Sequence, residues 1–114
     1  MEKVTRYREI IHGLLGEYSA FLTELTQTDV DTEVLCDDGS GQYMVMRIGW
    51  RAGTRVHRPL IYLRLRDGKV WVEEDWTKEG IATELMRAGV PASDIVLAFN
   101  PPALRGEVPE FAVA

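Results

Sequence analysis

The apolar residues of this chain change period near residue 30, and that change limits the fold more than any other feature of the sequence. From Val4 to Leu25 they fall at helical spacing: Val4, Tyr7, Ile11, Leu14, Leu15, Tyr18, Leu22 and Leu25. Glu2, Lys3, Arg6, Glu9 and Glu17 fill the opposite side. This predicts one long amphipathic helix, despite Gly13 and Gly16, each of which costs up to ~1 kcal/mol relative to alanine. Thr26 to Asp29 is expected to end it. Such a helix is about 33 Å long, roughly the width of a small domain, so one end is expected to overhang and pack against a second copy in a homo-oligomer.

Beyond residue 30 the spacing becomes two, as in strands. The first predicted strand is Val30 to Cys36, closed by the turn Asp37-Asp38-Gly39-Ser40-Gly41. The second is Gln42 to Arg51, with Met44, Met46, Ile48 and Trp50 sharing a face read as the core face. Ala52-Gly53 turns the chain into the third, Thr54 to Arg66. Pro59 argues there for an edge strand or a bulge, and the opposite parity of Val56 and Ile61 places one extra residue between them. Asp67-Gly68 is a two-residue hairpin signal; it sets the fourth strand, Lys69 to Glu74, in a register with Leu65 facing Val70 and Leu63 facing Val72. Arg64 then lies opposite Trp71, with Glu73 on the diagonal.

Thr77 is read as the N-cap of a second helix, Lys78 to Ala88, whose inner stripe is Ile81, Ala82, Leu85 and Met86. Gly89 is the expected left-handed stop. Pro91 to Asp94 makes a turn before a buried fifth strand, Ile95 to Phe99. The tail from Pro101 to Ala114 contains too many prolines for a regular helix, and its apolar end predicts that it is packed down. The chain therefore reads as a single α+β domain over residues 1–114, in the order α-β-β-β-β-α-β, with a mainly antiparallel sheet and both helices on one face.

Composition narrows the function. With 46% hydrophobic and 27% charged residues the chain is globular in type, and no apolar run approaches the ~20 residues of a membrane span. The charged N-terminus, MEKVTRYREI, lacks the apolar segment of a signal peptide. A lone cysteine, Cys36, provides no disulfide framework, which suits the cytoplasm. Thirteen basic residues against eighteen acidic ones leave a net charge of −5, unfavourable for general nucleic-acid binding. The balance is uneven. Between positions 47 and 69 lie Arg47, Arg51, Arg55, Arg58, Arg64, Arg66 and Lys69 with the single acid Asp67. That stripe, with Trp71 beside it, is the candidate nucleic-acid surface. Trp71 and Trp76 are the candidate stacking platforms, Trp50 being assigned to the core. The acids Asp29, Asp31 and Glu33, and again Glu73, Glu74 and Asp75, are the candidate surfaces for a protein partner.

Catalytic equipment does not stand out. His12 and His57 read as structural histidines, and with Cys36 they fall short of a closed zinc site. A Cys36–His57 dyad has no flanking motif to support it. Asp37 to Gly41 lacks the spacing of a calcium loop and reads as a β-turn. No phosphate loop, dinucleotide fingerprint or nucleophile elbow is present, so no catalytic residue, metal or cofactor is assigned. A small enzyme built on His57 would need an apolar pocket beside that residue.

Several segments together resemble the XisI family, named for the fdxN element excision controlling factor of cyanobacteria. Tyr7-Arg8, Ile10-Ile11 and Leu14-Leu15 carry the resemblance in the first helix, and Gly49-Trp50 and Arg55-Val56-His57 in the strands. Asp67 to Val72, Thr77, Glu79 to Ala82, Gly89-Val90-Pro91 and Asp94 to Phe99 continue it. Pro101-Pro102, Arg105 and Phe111 to Ala114 complete it. Tyr62 and Arg64 stand where the family often has His and Asp, and Asn100 where it often has His. The resemblance implies an α+β fold and a non-enzymatic part in controlling excision of a DNA element during heterocyst development. It implies action beside a recombinase, XisF, and a companion, XisH, which resembles a nuclease-fold protein. An XisH-like partner bound by the acidic surfaces is thus the first expectation, and direct DNA contact through the basic stripe the second.

Overall fold

The computed structural model describes residues 2–25, 29–101, 105 and 110–112. A helix, α1 (Lys3–Leu25), is followed by four antiparallel strands, β1 (Val30–Asp37), β2 (Gln42–Arg51), β3 (Thr54–Arg66) and β4 (Lys69–Asp75). A short helix, α2 (Ile81–Arg87), a 3-10 turn (Ala92–Asp94) and β5 (Ile95–Leu97) complete the order. Strand β5 joins the far side of β4 in parallel, so the sheet runs β1-β2-β3-β4-β5. Only the last pair departs from antiparallel pairing. Of the segment expected to end α1, Thr26 to Thr28 lie outside the described residues, as does most of the tail.

Both helices cover one face of the sheet. Tyr7, Ile11 and Leu15, spaced four apart, are wholly buried against Tyr43, Val45, Ile61, Leu63, Val70 and Val72. Ile81 and Leu85 of α2 join the same cluster. Each fully buried aliphatic side chain contributes about 1.5–3 kcal/mol of transfer free energy, which holds a glycine-bearing helix in place. Phe111 packs on the cluster's edge, and Ala112 bridges Val96, so the described end of the tail is packed down as expected.

The sheet carries two bulges. Val45 pairs with Ile61 and Met46 with Pro59, leaving Leu60 as the extra residue. Pro59 thus occupies the central strand at an irregularity, where its missing N–H costs no regular ladder bond. The shift puts Val56 and Ile61 on the same face, as their parity requires. In β4 the extra residue is Glu73, between the Tyr62–Glu74 and Leu63–Val72 pairs. The hairpin register set by Asp67-Gly68 is the expected one, and Arg64 sits opposite Trp71 with its guanidinium 3.8 Å from Glu73.

Three expectations are corrected. Met44, Met46, Ile48 and Trp50 do share a face, but it points away from the helices; Tyr43 and Val45 face the core, and Trp50 is 57% exposed. The strand is apolar on both sides, so its own alternation does not decide which side is covered. Helix α2 begins at Ile81 rather than Lys78, and Thr77 is not its N-cap. Asp75, at the end of β4, accepts hydrogen bonds from the Thr77 N–H, the Thr77 hydroxyl and the Ile81 N–H, and so satisfies the helix start from a distance. Strand β5 stops at Leu97, where Ala98 to Asn100 turn. The expected glycine stop of α2 is a Schellman closure: Gly89 (φ 115°) donates to the Met86 carbonyl and Val90 to the Leu85 carbonyl.

The turn after β1 ties the sheet to α1. Asp37 accepts from the Gly39 N–H and the Ser40 hydroxyl, so its carboxylate is occupied by its own turn. Asp38 accepts from the Tyr43 hydroxyl at 2.8 Å and contacts His12 Nε2 at 2.9 Å. Hydrogen bonds from His12 and Tyr43 lower the Asp38 pKa, while burial and Asp38 push Tyr43 up to about 12. Asp38 therefore contributes fully above the unfolded carboxylate value of about pH 4 and loses its contribution as pH falls through the lowered folded value. Tyr43 works in the opposite direction. Its contribution is complete below the ordinary tyrosine value of 10.0 and is lost as pH rises towards about 12. In thermal denaturation, Asp38→Asn is expected to melt below the parent at neutral pH, with the gap closing as pH falls below the ordinary carboxylate value. Tyr43→Phe is expected to remove part of the alkaline loss of stability. A gap for Asp38→Asn that is independent of pH would contradict this assignment.

Candidate functional site

The acidic candidates do not form one surface. Asp29, Asp31 and Glu33 are exposed at the outer strand β1, on one margin of the sheet. Glu73 and Glu74 lie on β4 across the sheet; Glu73 pairs with Arg64, and Glu74 accepts from Trp76 Nε1 at 2.7 Å. Asp75 turns to the helix side and is held by α2, so it is removed from the candidate partner surface.

The basic stripe is also divided, because neighbouring strand residues alternate faces and the Leu60 bulge shifts the alternation. Arg47 lies on the helix side, 6% exposed, with Nη1 donating to the Thr32 hydroxyl at 2.8 Å. Burial, with Arg51 and Arg58 nearby, lowers its pKa below the ordinary arginine value, against an opposing influence from Tyr18. Arg47, Arg51, Arg55 and Arg58 line one groove of about 690 Å³ between α1 and the β2–β3 hairpin, together with Tyr18, Leu22 and His57. No carboxylate lines it among the described residues. Arg64, Arg66, Lys69 and Trp71 belong instead to the other sheet face.

Each tryptophan carries a guanidinium. Arg55 lies 5.5 Å from the Trp50 ring centre, Arg58 5.0 Å from Trp76, and Arg66 and Arg105 5.9 and 5.7 Å from Trp71. The rings read as stacking platforms therefore already carry the chain's own cations. His57 borders the arginine groove, which differs from the apolar pocket that a small-molecule site calls for. Cys36 and His57 do not meet: His57 is level with Asp31, five residues from Cys36 along β1, or about 17 Å.

A second groove, of about 500 Å³, runs between α1 and the segment leading into α2. Leu14, Tyr18, Phe21 and Ile81 supply apolar surface, and Glu17, Glu79, Glu84 and Lys78 stand around it, with Arg87 Nη1 3.4 Å from Glu79 and 2.7 Å from Glu84. Phe21 is 57% exposed. Burial, with Asp75 nearby, raises the Tyr18 pKa, so its hydroxyl stays neutral there. Sequence reasoning missed this groove. The available signal was Phe21 itself, a large aromatic residue off the buried stripe of its helix.

The fold defines a small α+β protein with both helices on one side of a mainly antiparallel five-stranded sheet. A family model described as "XisI protein" matches residues 1–113, and the chain belongs to that family. Among solved structures, a XisI-like protein from Anabaena variabilis ATCC 29413 has a TM-score of 0.88 at 31% identity, covering 97% of this chain and 99% of that one. The fdxN element excision controlling factor XisI from the same organism has a TM-score of 0.82 at 35% identity, covering 99% of this chain and 100% of its own. Comparison with curated proteins gives no match. No helix of the described residues is long and apolar enough to cross a membrane.

Proposed function

We propose that this protein is a non-catalytic control factor for excision of a DNA element, and that it acts by docking on a protein partner, an XisH-like protein of nuclease type. Family membership and the controlling-factor name of a 35% identical relative support the process. The acid-rimmed groove supports docking as the means, since Phe21 is a half-exposed aromatic anchor surrounded by Glu17, Glu79 and Glu84. Buried aromatic anchors dominate protein interfaces. A nuclease-like partner has a cationic DNA-binding surface, and complementary carboxylates steer such a surface and favour its capture. Co-expression with the XisH-like protein of the same genome is expected to give a complex at low salt. Phe21→Glu is expected to weaken it at least tenfold with the fold intact. Failure to recover any complex at about 50 mM salt would sink the reading.

A second reading, direct contact with DNA phosphates, rests on the arginine groove. Four guanidiniums around one concavity in a chain of net charge −5 mark the place where a polyanion would be held. DNA binding of this kind would weaken steeply with salt, and Arg51→Glu would weaken it for every sequence alike. The absence of a gel shift at about 50 mM salt removes this reading.

A further inference from the structure

The helices cover one side of the sheet, and the chain itself closes half of the other. At the β4–β5 end Val96 is wholly buried and Trp71 lies beneath Arg66 and Arg105. The β1–β3 half stays open. Down its middle, on β2, runs the apolar column Met44, Met46, Ile48 and Trp50, with Leu35 beside it on β1; Leu35 is 50% and Trp50 57% exposed, Met44 and Ile48 are half-buried, and Met46 at the centre is buried. An open apolar area of this kind marks an interaction surface.

The charges beside the column are sorted by strand. On this face β1 presents Asp31, Glu33 and Asp37, while β3 presents Arg55, His57 and Arg64. Neither Asp31 nor Glu33 forms an ion pair among the described residues.

We propose that a second copy of this chain packs face to face on β1–β3, about a two-fold axis running along β2. A two-fold axis lying in the interface and parallel to the strands keeps every residue at its own height and exchanges β1 with β3. Asp31, Ile48 and His57 share one height, as do Leu35, Met44 and Tyr62, and Asp37, Gln42 and Arg64. The rotation therefore sets Asp31 against His57 of the second copy, Leu35 against Tyr62, and Asp37 against Arg64, while Ile48 meets itself at the axis. Asp31 meets His57 and Leu35 meets Tyr62 twice per dimer, while Asp37 and Arg64 face one another beside their own contacts to Ser40 and Glu73. Sheets packed this way lie ~10 Å apart with their strands crossing at about 30°. The Phe21 groove stays open in this dimer, whereas Arg55 and His57, at the rim of the arginine groove, are shared with it.

Sedimentation velocity and light scattering on the full chain test the arrangement. The expected mass is twice the 12.9 kDa of one chain. Ile48→Asp, which sets two carboxylates against each other at the axis, is expected to yield monomer. Asp31→Arg and His57→Asp, both at exposed positions and compatible with folding, are each expected to raise the dimer dissociation constant about tenfold. The double variant is expected to recover most of the affinity, because the swap restores opposite charges across the axis. A parent chain that is monomeric at about 100 µM leaves the face to a different protein and overturns the proposal. A dimer indifferent to all three substitutions, or a double variant no tighter than the singles, overturns it as well.

Discussion

Replacing Gly49 by alanine is expected to destabilise the chain more than any other single substitution considered. Gly49 sits in β2 at φ 156°, where the start of β1 crosses close above it. A Cβ built there would collide with the Asp29 carbonyl oxygen and lie 2.8 Å from Val30 Cα, both backbone atoms with no rotamer to relieve the contact. The added carbon must push β1 off the sheet or distort β2, at a cost of about 3–5 kcal/mol. That is a large share of the 5–15 kcal/mol that stabilises a typical domain. Gly13→Ala makes the matched control. It lies in α1 with nothing within 4 Å of its added Cβ, so it is expected to stabilise by up to ~1 kcal/mol through helix propensity alone. Chemical denaturation of both variants checks the contrast, and a Gly49→Ala chain as stable as its parent would refute the close approach.

The second large effect is expected at Asp75. Its carboxylate accepts from the Thr77 N–H at 2.9 Å, the Thr77 hydroxyl at 2.6 Å and the Ile81 N–H at 2.8 Å. The Thr77 hydroxyl in turn accepts from the Gly80 N–H at 3.1 Å. One side chain thus organises the whole entry to α2, a helix of seven residues that is too short to persist without tertiary support. Asp75→Ala strands the Ile81 donor and frees the loop, at an expected cost of about 2–4 kcal/mol. Asp75→Asn keeps one acceptor oxygen and is expected to lose about half as much. Hydrogen exchange should show α2 opening before the β2–β3 core. A loss below about 0.5 kcal/mol for Asp75→Ala would contradict the capping role.

Some of the candidate sites were legible because their chemistry is local. The Asp67-Gly68 turn dictates its own geometry, so the pairing of Arg64 with Trp71 and the contact to Glu73 followed from residues within ten positions of one another. The basic stripe was legible as a count but not as a surface. Alternation and the Leu60 bulge send Arg47 and Arg58 to the helix side and Arg64 and Arg66 to the other. The acid-rimmed groove joins Phe21 of α1 to Glu79 and Glu84 near α2, some sixty residues apart, and no local pattern predicts which distant segment flanks a helix. Asp75 was misread for the same reason. On paper it continues an acidic run; in space it reaches six residues ahead to Ile81.

What the residues settled unaided is the inventory: one long amphipathic helix, four strands with their turns, a glycine-stopped second helix and a short last strand. Helical and two-residue periods, Asp-Gly turns and a left-handed glycine are properties of a few neighbouring side chains, so they are written directly in the order of the chain. Which side of β2 the helices cover was decided only by tertiary packing. Both sides of that strand are apolar, and burying Tyr43 and Val45 beneath Tyr7, Ile11 and Leu15 closes a core that the column from Met44 to Trp50 does not join. That choice of side left Trp50 exposed on the face away from the helices and drew Arg47 under α1.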